Sequence, residues 1–136
     1  MTLNNNLANS VRFEHIGINV KEPTKMAQWY CENLGMKIMR QGDPPVSVHF
    51  LADADENMMM EIYHNPPYAV PDYASMDPLL MHIAFKVNDV KAVKDKLIAA
   101  GAIEYSYDWT LDGDEIAILR DPWSVPIQFV KRSRPM

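Results

Sequence analysis

The chain contains one short strand pattern twice. The segments HIGINV, beginning at His15, and HIAFKV, beginning at His82, share their histidine, isoleucine and valine positions at a separation of 67 residues. At the same separation, Glu61 in MMMEIYHNP corresponds to Gln128 in SVPIQFVKR. Self-similarity at a fixed period indicates a repeated structural unit. The sequence therefore predicts two equivalent modules, each built around a histidine-bearing strand.

Each of these strands is followed by a helical pattern and then by three β-prone runs. Thr24 is predicted to cap the first helix, which ends at Gly35, and Asp89 to cap the second, which ends at Gly101. The runs are MKIMR, VSVHFLA and MMMEIY in the first half, and IEYSY, EIAIL and VPIQFV in the second. The predicted fold class is α+β, with two βαβββ modules.

The modules are predicted to form one domain over residues 11–131. Module one covers 11–64 and module two covers 81–131, with a linker at 65–80 that contains four prolines, which break helix and sheet alike. Residues 1–10 are predicted to be a flexible arm, and residues 132–136 a short tail.

The composition excludes several classes of protein. The 136 residues carry a formal net charge of −5 without a large basic cluster, which argues against nucleic-acid binding. The N-terminus does not resemble a signal peptide, and no apolar run is long enough to span a membrane. The single cysteine, Cys31, is expected to be a packed thiol in a reducing compartment. We therefore expect a cytoplasmic protein.

The strand pattern also predicts where the polar residues point. Because side chains alternate along a strand, His15 shares a face with Gly17 and Asn19, while the isoleucines and Val20 face the helices. Two such sheets placed face to face would bring together His15, Glu61, His82 and Gln128. Imidazole, carboxylate and amide donors suit a divalent ion such as Zn, Ni, Fe, Co or Mn. Taken singly, a strand histidine is more often structural, but the repetition favours a metal site.

These segments resemble the vicinal oxygen chelate superfamily, which includes glyoxalase I, bleomycin-resistance proteins and extradiol dioxygenases. The resemblance covers residues 11–131 and rests on HIGINV, WYCENLGMK, MEIYHN, HIAFKV and RDPWSVPIQF. It implies that the two modules form a cup-shaped mixed sheet around a divalent metal ion held by His15, Glu61, His82 and Gln128. Ser124 stands where the family usually has glycine.

The ligand pattern resembles that of glyoxalase I most closely, with Gln128 where that enzyme has glutamate. An amide cannot act as a base. The pseudo-twofold symmetry of the site therefore makes Glu61 the candidate catalytic base. The resemblance implies a metal-dependent lyase or isomerase that abstracts a proton from a small carbonyl substrate and stabilises an enediolate. It also implies a homodimer, because family cups are often completed across subunits.

Two alternatives remain open at this point. One is a non-catalytic, bleomycin-resistance-type binding protein with an apolar groove lined by residues from the set Tyr68, Tyr73, Trp109, Trp123 and Met58 to Met60. The other is an extradiol-dioxygenase-like enzyme, which would require Glu61 to replace the carboxylate of the last strand.

Several other polar residues are weaker candidates. His49 faces either the cup or solvent, and His64 is expected in a loop. The arginines Arg12, Arg40 and Arg120 either bind an anionic substrate or are ordinary surface residues.

Overall fold

The computed structural model describes residues 5–136, with side chains from Leu7 onward. The chain divides between Val70 and Pro71 into two compact units. Residues 1–4 of the predicted flexible arm lie outside the described residues, and Asn5–Ala8 form one turn of helix, α1. In the part of the chain that is described, no helix is long and apolar enough to cross a lipid bilayer.

The first unit contains one four-stranded mixed sheet and one long helix. After α1, its elements are β1 (His15–Asn19), α2 (Pro23–Leu34), β2 (Lys37–Gln41), β3 (His49–Ala52) and β4 (Met59–Tyr63). The strand order is β1-β4-β3-β2, with β1 parallel to β4 and the other pairs antiparallel. The first and last strands of the unit are therefore neighbours in the sheet.

The second unit repeats this arrangement. After a 3-10 turn at Tyr73–Ser75, its elements are β5 (Ile83–Lys86), α3 (Val90–Ala99), β6 (Ile103–Trp109), β7 (Glu115–Arg120) and β8 (Pro126–Lys131). The strand order is β5-β8-β7-β6, and β5 is again parallel to β8. The predicted α+β fold with two βαβββ modules is confirmed.

The strand register repeats as well. Gly17 is opposite Glu61 in the first sheet, and Ala84 is opposite Gln128 in the second. Each of these residues lies 67 positions from its counterpart. The separation read from the sequence is therefore a structural equivalence between the two parallel strand pairs.

In each unit, the apolar side of the sheet packs against the long helix. Helix α2 buries Met26 and Tyr30, and the sheet beside it buries Leu51 and Ile62. Ile18 and Val20 of the first strand region are buried, as predicted, whereas Ile16 is 37% exposed. Burial of each large apolar side chain contributes roughly 1.5–3 kcal/mol, so this layer holds the opposite, polar face of the sheet in place.

The two long helices begin differently. Asp89 caps α3 as predicted, and its Oδ1 accepts a hydrogen bond of 2.9 Å from the backbone N–H of Ala92. The prediction that Thr24 caps α2 is wrong, because Glu22 occupies the N-cap position and Pro23 begins the helix. Proline suits that first position, where no backbone N–H is needed. Gly35 ends α2 as predicted, with a left-handed φ of 65°.

The equivalent edge strands β2 and β6 contain a β-bulge at the same place. In β2 the register shifts between Ile38 and Arg40, and in β6 it shifts between Glu104 and Ser106. One extra residue in a strand reverses the direction of the side chains that follow it. The bulges therefore decide which face of the sheet Arg40 and Ser106 occupy.

The turn before β8 explains the unusual Ser124. The buried carboxylate of Asp121 accepts hydrogen bonds of 2.9 Å from the backbone N–H groups of Trp123 and Val125. This turn requires a left-handed backbone at Ser124, whose φ is 69°. Glycine adopts such a conformation without steric cost, which accounts for the glycine usual in the resembled family.

The different helix starts give a testable prediction about stability. The Asp89→Ala substitution should lower the free energy of unfolding by about 1 kcal/mol, because it removes the hydrogen bond to Ala92. Thr24→Ala is the matched control and should change that free energy little, because Thr24 is an exposed residue in the first turn of α2. Urea denaturation checks both variants. An equal loss in the two variants would contradict this assignment of the caps.

Candidate metal centre

His15 and Glu61 form a close pair on the face of the first sheet that points away from α2. The Nε2 atom of His15 lies 2.9 Å from Oε2 of Glu61, and the two side chains are 35% and 24% exposed. The parallel pairing of β1 with β4 creates this contact, since Gly17 sits opposite Glu61. A Cβ atom at Gly17 would lie only 3.3 Å from Cε1 of Tyr63 and 3.5 Å from Oε2 of Glu61. The glycine therefore leaves the room that the carboxylate occupies.

Two further side chains hold the His15 ring. Its Nδ1 atom lies 2.8 Å from Oε1 of Glu14, and Phe50 packs against the ring at 5.4 Å in an edge-to-face arrangement. Glu14 is not among the residues predicted for this site, because strict alternation along the strand places it on the opposite face. Glu14 precedes the first residue of β1, so the pleat of the strand does not direct its side chain. The only signal for it in the sequence is its position next to His15.

The second unit holds its histidine through the Nδ1 atom, and His82 lies one residue before β5. The Nδ1–H group of His82 donates a 2.8 Å hydrogen bond to the backbone carbonyl of Pro78, because a carbonyl can only accept. In the neutral form of this ring, the lone pair is on the Nε2 atom. Gln128 is 9% exposed and lies opposite Ala84, as Glu61 lies opposite Gly17. Among the described residues, no hydrogen bond joins Gln128 to His82.

The donor atoms fit a divalent metal ion. A histidine ligand usually gives its second ring N–H to a carboxylate or a backbone carbonyl, and Glu14 and Pro78 offer such groups to His15 and His82. Ligands bound at about 2.0–2.2 Å in adjacent positions lie roughly 2.8–3.5 Å apart, a range that includes the His15–Glu61 distance.

Each unit offers two of the predicted ligands. The structure brings His15 and Glu61 together, and it places Gln128 at the position of the second sheet that is equivalent to Glu61, with His82 directly before β5. Within residues 5–136, no group of three or more histidine, cysteine, aspartate or glutamate side chains is arranged to hold an ion.

The remaining histidines and the cysteine lie elsewhere. His49 is buried on the helix side of the first sheet, where its Nδ1 atom contacts the carbonyl of Ser47 at 2.7 Å. His64 follows β4, and its Nδ1 atom lies 3.0 Å from the carbonyl of Val20. Burial raises the pKa of the Cys31 thiol, which agrees with a packed thiol.

The three candidate arginines differ in their contacts. Arg120 donates to the backbone carbonyls of Tyr73 and Met76 at 2.7 Å, so it anchors the segment before β5. Arg12 donates to the carbonyls of Asn9 and Val11. Arg40 makes no hydrogen bond or ion pair with any residue from 5 to 136.

The residues predicted to line an apolar groove differ in their exposure to solvent. Tyr73 and Met60 are 6% and 5% exposed and belong to the core. Tyr68 and Trp109 are 69% and 58% exposed. Tyr73 and Met60 therefore do not line an exposed groove, whereas Tyr68 and Trp109 are exposed enough to do so.

Comparison with known proteins supports the same fold. The family model of the Glyoxalase/Bleomycin resistance protein/Dioxygenase superfamily matches residues 12–129. A protein of Vibrio cholerae serotype O1, named a probable lactoylglutathione lyase, is 25% identical and covers 90% of this chain and 92% of its own length.

Two solved structures are similar in fold. TnmS3, an antibiotic binding protein from Streptomyces sp. CB03234, is 16% identical, with 90% of this chain and 97% of that chain covered and a TM-score of 0.70. The E144Q mutant of glyoxalase I from Zea mays is 23% identical, with 90% of this chain and 46% of that chain covered and a TM-score of 0.71. The chain belongs to the glyoxalase/bleomycin resistance protein/dioxygenase superfamily, also called the vicinal oxygen chelate superfamily.

The space at Gly17 gives a prediction about the site. In Gly17→Val, the new side chain should displace Tyr63 and Glu61, and so change the surroundings of the His15 ring. The NMR signals of the His15 ring should move, while those of His82 stay in place. Ala84→Val is the matched control at the equivalent position and should leave the His15 signals unchanged. Unchanged His15 signals in a folded Gly17→Val protein would contradict the described contact.

Proposed function

We propose that this protein is a metal-dependent enzyme of the glyoxalase type, a lyase or isomerase that moves a proton next to the carbonyl of a small substrate. The observation that carries the proposal is the position of His15, whose Nε2 atom faces the Glu61 carboxylate while Glu14 holds its Nδ1 atom. Membership of the superfamily and the similarity to a probable lactoylglutathione lyase support the same class of function.

The proposed ligands of the ion are His15, Glu61, His82 and Gln128. A bound divalent cation would polarise the carbonyl of the substrate and stabilise the negative charge that develops during proton removal. Glu14 acts as a positioning residue, because it fixes the orientation of the His15 ring. The Pro78 carbonyl does the same for His82.

Glu61 is the proposed base. Of the two equivalent positions, 61 and 128, only the first carries a carboxylate, and the Gln128 amide has no useful basicity. In this mechanism Glu61 takes the proton from the hydroxyl-bearing carbon next to the carbonyl and returns it to the former carbonyl carbon, while the hydroxyl proton moves to the former carbonyl oxygen. The reaction needs no further reactant, since both hydrogens only change places within the substrate.

Separate substitutions distinguish the base from a mere ligand. Glu61→Gln should lower turnover by about 10²–10⁴-fold, because it removes the base, and should retain much of the metal through the amide oxygen. His15→Ala should lower both turnover and metal content. Elemental analysis and a turnover assay with candidate α-oxo hemithioacetals check the two effects.

His64→Ala is the control for the loss of a histidine, since the His64 ring contacts the Val20 carbonyl and not the Glu61 pair. It should keep the metal content of the unchanged protein. Glu61→Gln with undiminished turnover would refute the base, and metal-free purified protein that no divalent ion stabilises would refute the metal site.

We also propose a homodimer in which each site combines donors of two modules from different chains. One module supplies two donors, whereas bound transition-metal ions usually have three or more protein ligands. In this arrangement, His15 and Glu61 of one chain meet a histidine and an amide that the partner chain supplies.

Mixing two inactive variants tests this arrangement. If sites are shared, a mixed dimer of His15→Ala and His82→Ala chains contains one doubly altered site and one intact site. Co-refolding should therefore restore turnover and metal binding, up to half of the normal amount per mixed dimer. Recovery no greater than the sum of the separate variants, or a light-scattering mass of one chain, would overturn the shared site.

A non-catalytic small-molecule binder is the second candidate. The similarity in fold to an antibiotic binding protein and the exposed aromatic rings of Tyr68 and Trp109 favour it. Stoichiometric metal in the purified protein supports the enzyme. Tight binding of an organic ligand by metal-free protein, with no turnover, supports the binder.

A further inference from the structure

One row of residues crosses the first sheet from the candidate metal ligand to the edge strand. Gly17 is opposite Glu61, Glu61 is opposite Phe50, and Phe50 is opposite Arg40. Residues opposite one another on neighbouring strands point to the same face of a sheet. Arg40 therefore lies on the face that carries Glu61, two strands away, which corresponds to about 10 Å between the Cα atoms.

The β-bulge in β2 is what places Arg40 on this face. Lys37 and Ile38 pair with Ala52 and Leu51, and the register then passes over Met39 before Arg40 pairs with Phe50. With an unbroken register, Arg40 would be opposite His49 and would point to the helix side of the sheet. Bulges frequently re-aim side chains beside functional sites.

The Arg40 guanidinium has the surroundings of a ligand-binding group. It lines a cleft of about 300 Å³ together with Glu14, Met39, Phe50 and Met59. It has no partner among the described residues, in contrast to Arg12 and Arg120. The planar guanidinium presents paired N–H donors that match the oxygens of a carboxylate or phosphate.

Two other charged groups, a carboxylate and an ammonium group, lie on the same face of the sheet or line this cleft. The Glu14 carboxylate lines it, but its Oε1 atom lies 2.8 Å from Nδ1 of His15. Lys37 points to the same face of the sheet as Arg40. It is opposite Ala52, which is opposite Met59, and Met59 is in turn opposite His15. The Nζ atom of Lys37 is 3.9 Å from Oε1 of Glu56. Arg40 is thus the cation of this face that lacks a described partner.

The second module supplies an internal comparison. Its equivalent row consists of Ala84, Gln128, Ile118 and Ser106, and its bulge precedes Ser106 as the first bulge precedes Arg40. The carboxylate and the guanidinium therefore both belong to module one. After the duplication, the two charges that a substrate would contact are found in one row of one sheet.

We propose that Arg40 binds an anionic group of the substrate, a carboxylate or a phosphate, while the reacting carbonyl lies at Glu61. The part of the substrate between these two groups crosses the ring of Phe50, between side chains whose Cα atoms are about 10 Å apart, the distance of two strand spacings. This inference rests on the proposed function for the position of the reacting carbon. The anion preference itself is a property of binding and does not require turnover.

Binding of three related ketones to the full-length, metal-free protein tests the inference. The probes are 4-acetylbenzoate, 4-acetylphenyl phosphate and the neutral 4-acetylbenzamide, and NMR titration gives their dissociation constants. Arg40→Gln should weaken binding of the tighter anionic probe by roughly tenfold to a hundredfold, because it removes a charge-assisted hydrogen bond. It should leave the binding of the amide unchanged. The tighter of the two anions identifies the class of group that is bound.

Two further variants make the test specific. Arg40→Lys keeps the charge without the paired donors and should recover part of the affinity. Lys37→Gln removes a charge from the same face and should change the dissociation constants less than twofold. Equal weakening of the anionic and neutral probes by Arg40→Gln, no weakening at all, or an equal effect of Lys37→Gln would overturn the inference.

The outcome is separable from that of the proposed enzyme. If the Glu61→Gln variant retains turnover while Arg40→Gln still discriminates against anions, the base is wrong and the anion site stands. If Arg40→Gln has no effect on any probe while Glu61→Gln abolishes turnover, the anion site is wrong and the proposed function stands.

Discussion

The parallel pairing of the first strand with the last strand of each module is the constraint on which the rest of the structure depends. Parallel neighbours cannot be joined by a tight turn, so the chain must cross over the sheet, and α2 or α3 begins that crossing. The helices cover one face of each sheet and leave the other face to polar residues. His15 and Glu61 are distant in sequence and meet only because β1 and β4 are adjacent.

Much of this arrangement could be predicted from the sequence. A repeated sequence pattern indicates a repeated structural unit, whatever the helix or strand propensities of its residues. The separation shared by His15 and His82, and by Glu61 and Gln128, predicted two modules and the equivalence of their parallel strand pairs. Asp89 and Gly35 were identified because a capping carboxylate and a left-handed glycine have local causes. These features depend on a few consecutive residues, which a sequence displays directly.

The features that were missed depend on contacts or on register. Thr24 looked like a cap, but α2 begins at Pro23, two residues before the start that a cap at Thr24 would give. Glu14 was not identified as a neighbour of the His15 ring, because strict alternation places it on the opposite face, whereas the strand begins one residue after it. His49 was predicted to face the cup or solvent, and both alternatives are wrong, because it is buried on the helix side of the sheet beside Ile62. The direction of the Arg40 side chain follows from a β-bulge. Nothing in the sequence KIMRQ indicates that Met39 is the residue without a partner in β3.

The modules have kept their backbone and changed their chemistry. The same register holds Gly17 and Glu61 in one sheet and Ala84 and Gln128 in the other. The fold therefore tolerates a charged or a neutral residue at these places, because stability is supplied by the helix side of each sheet. Exchanges on the polar face alter what a site binds without altering how the chain folds.

The bulge at Met39 has a consequence for how this chain can vary. Deletion of Met39 would leave Arg40 opposite Phe50, because the shortened strand pairs with β3 without a break. If Met39 stayed in the chain and itself paired with Phe50, Arg40 would be opposite His49 and would point into the apolar layer beneath α2, where an unpaired guanidinium is costly. The bulge thus accommodates one additional residue of β2, so a homologous chain that is one residue shorter here should keep its arginine on the same face of the sheet.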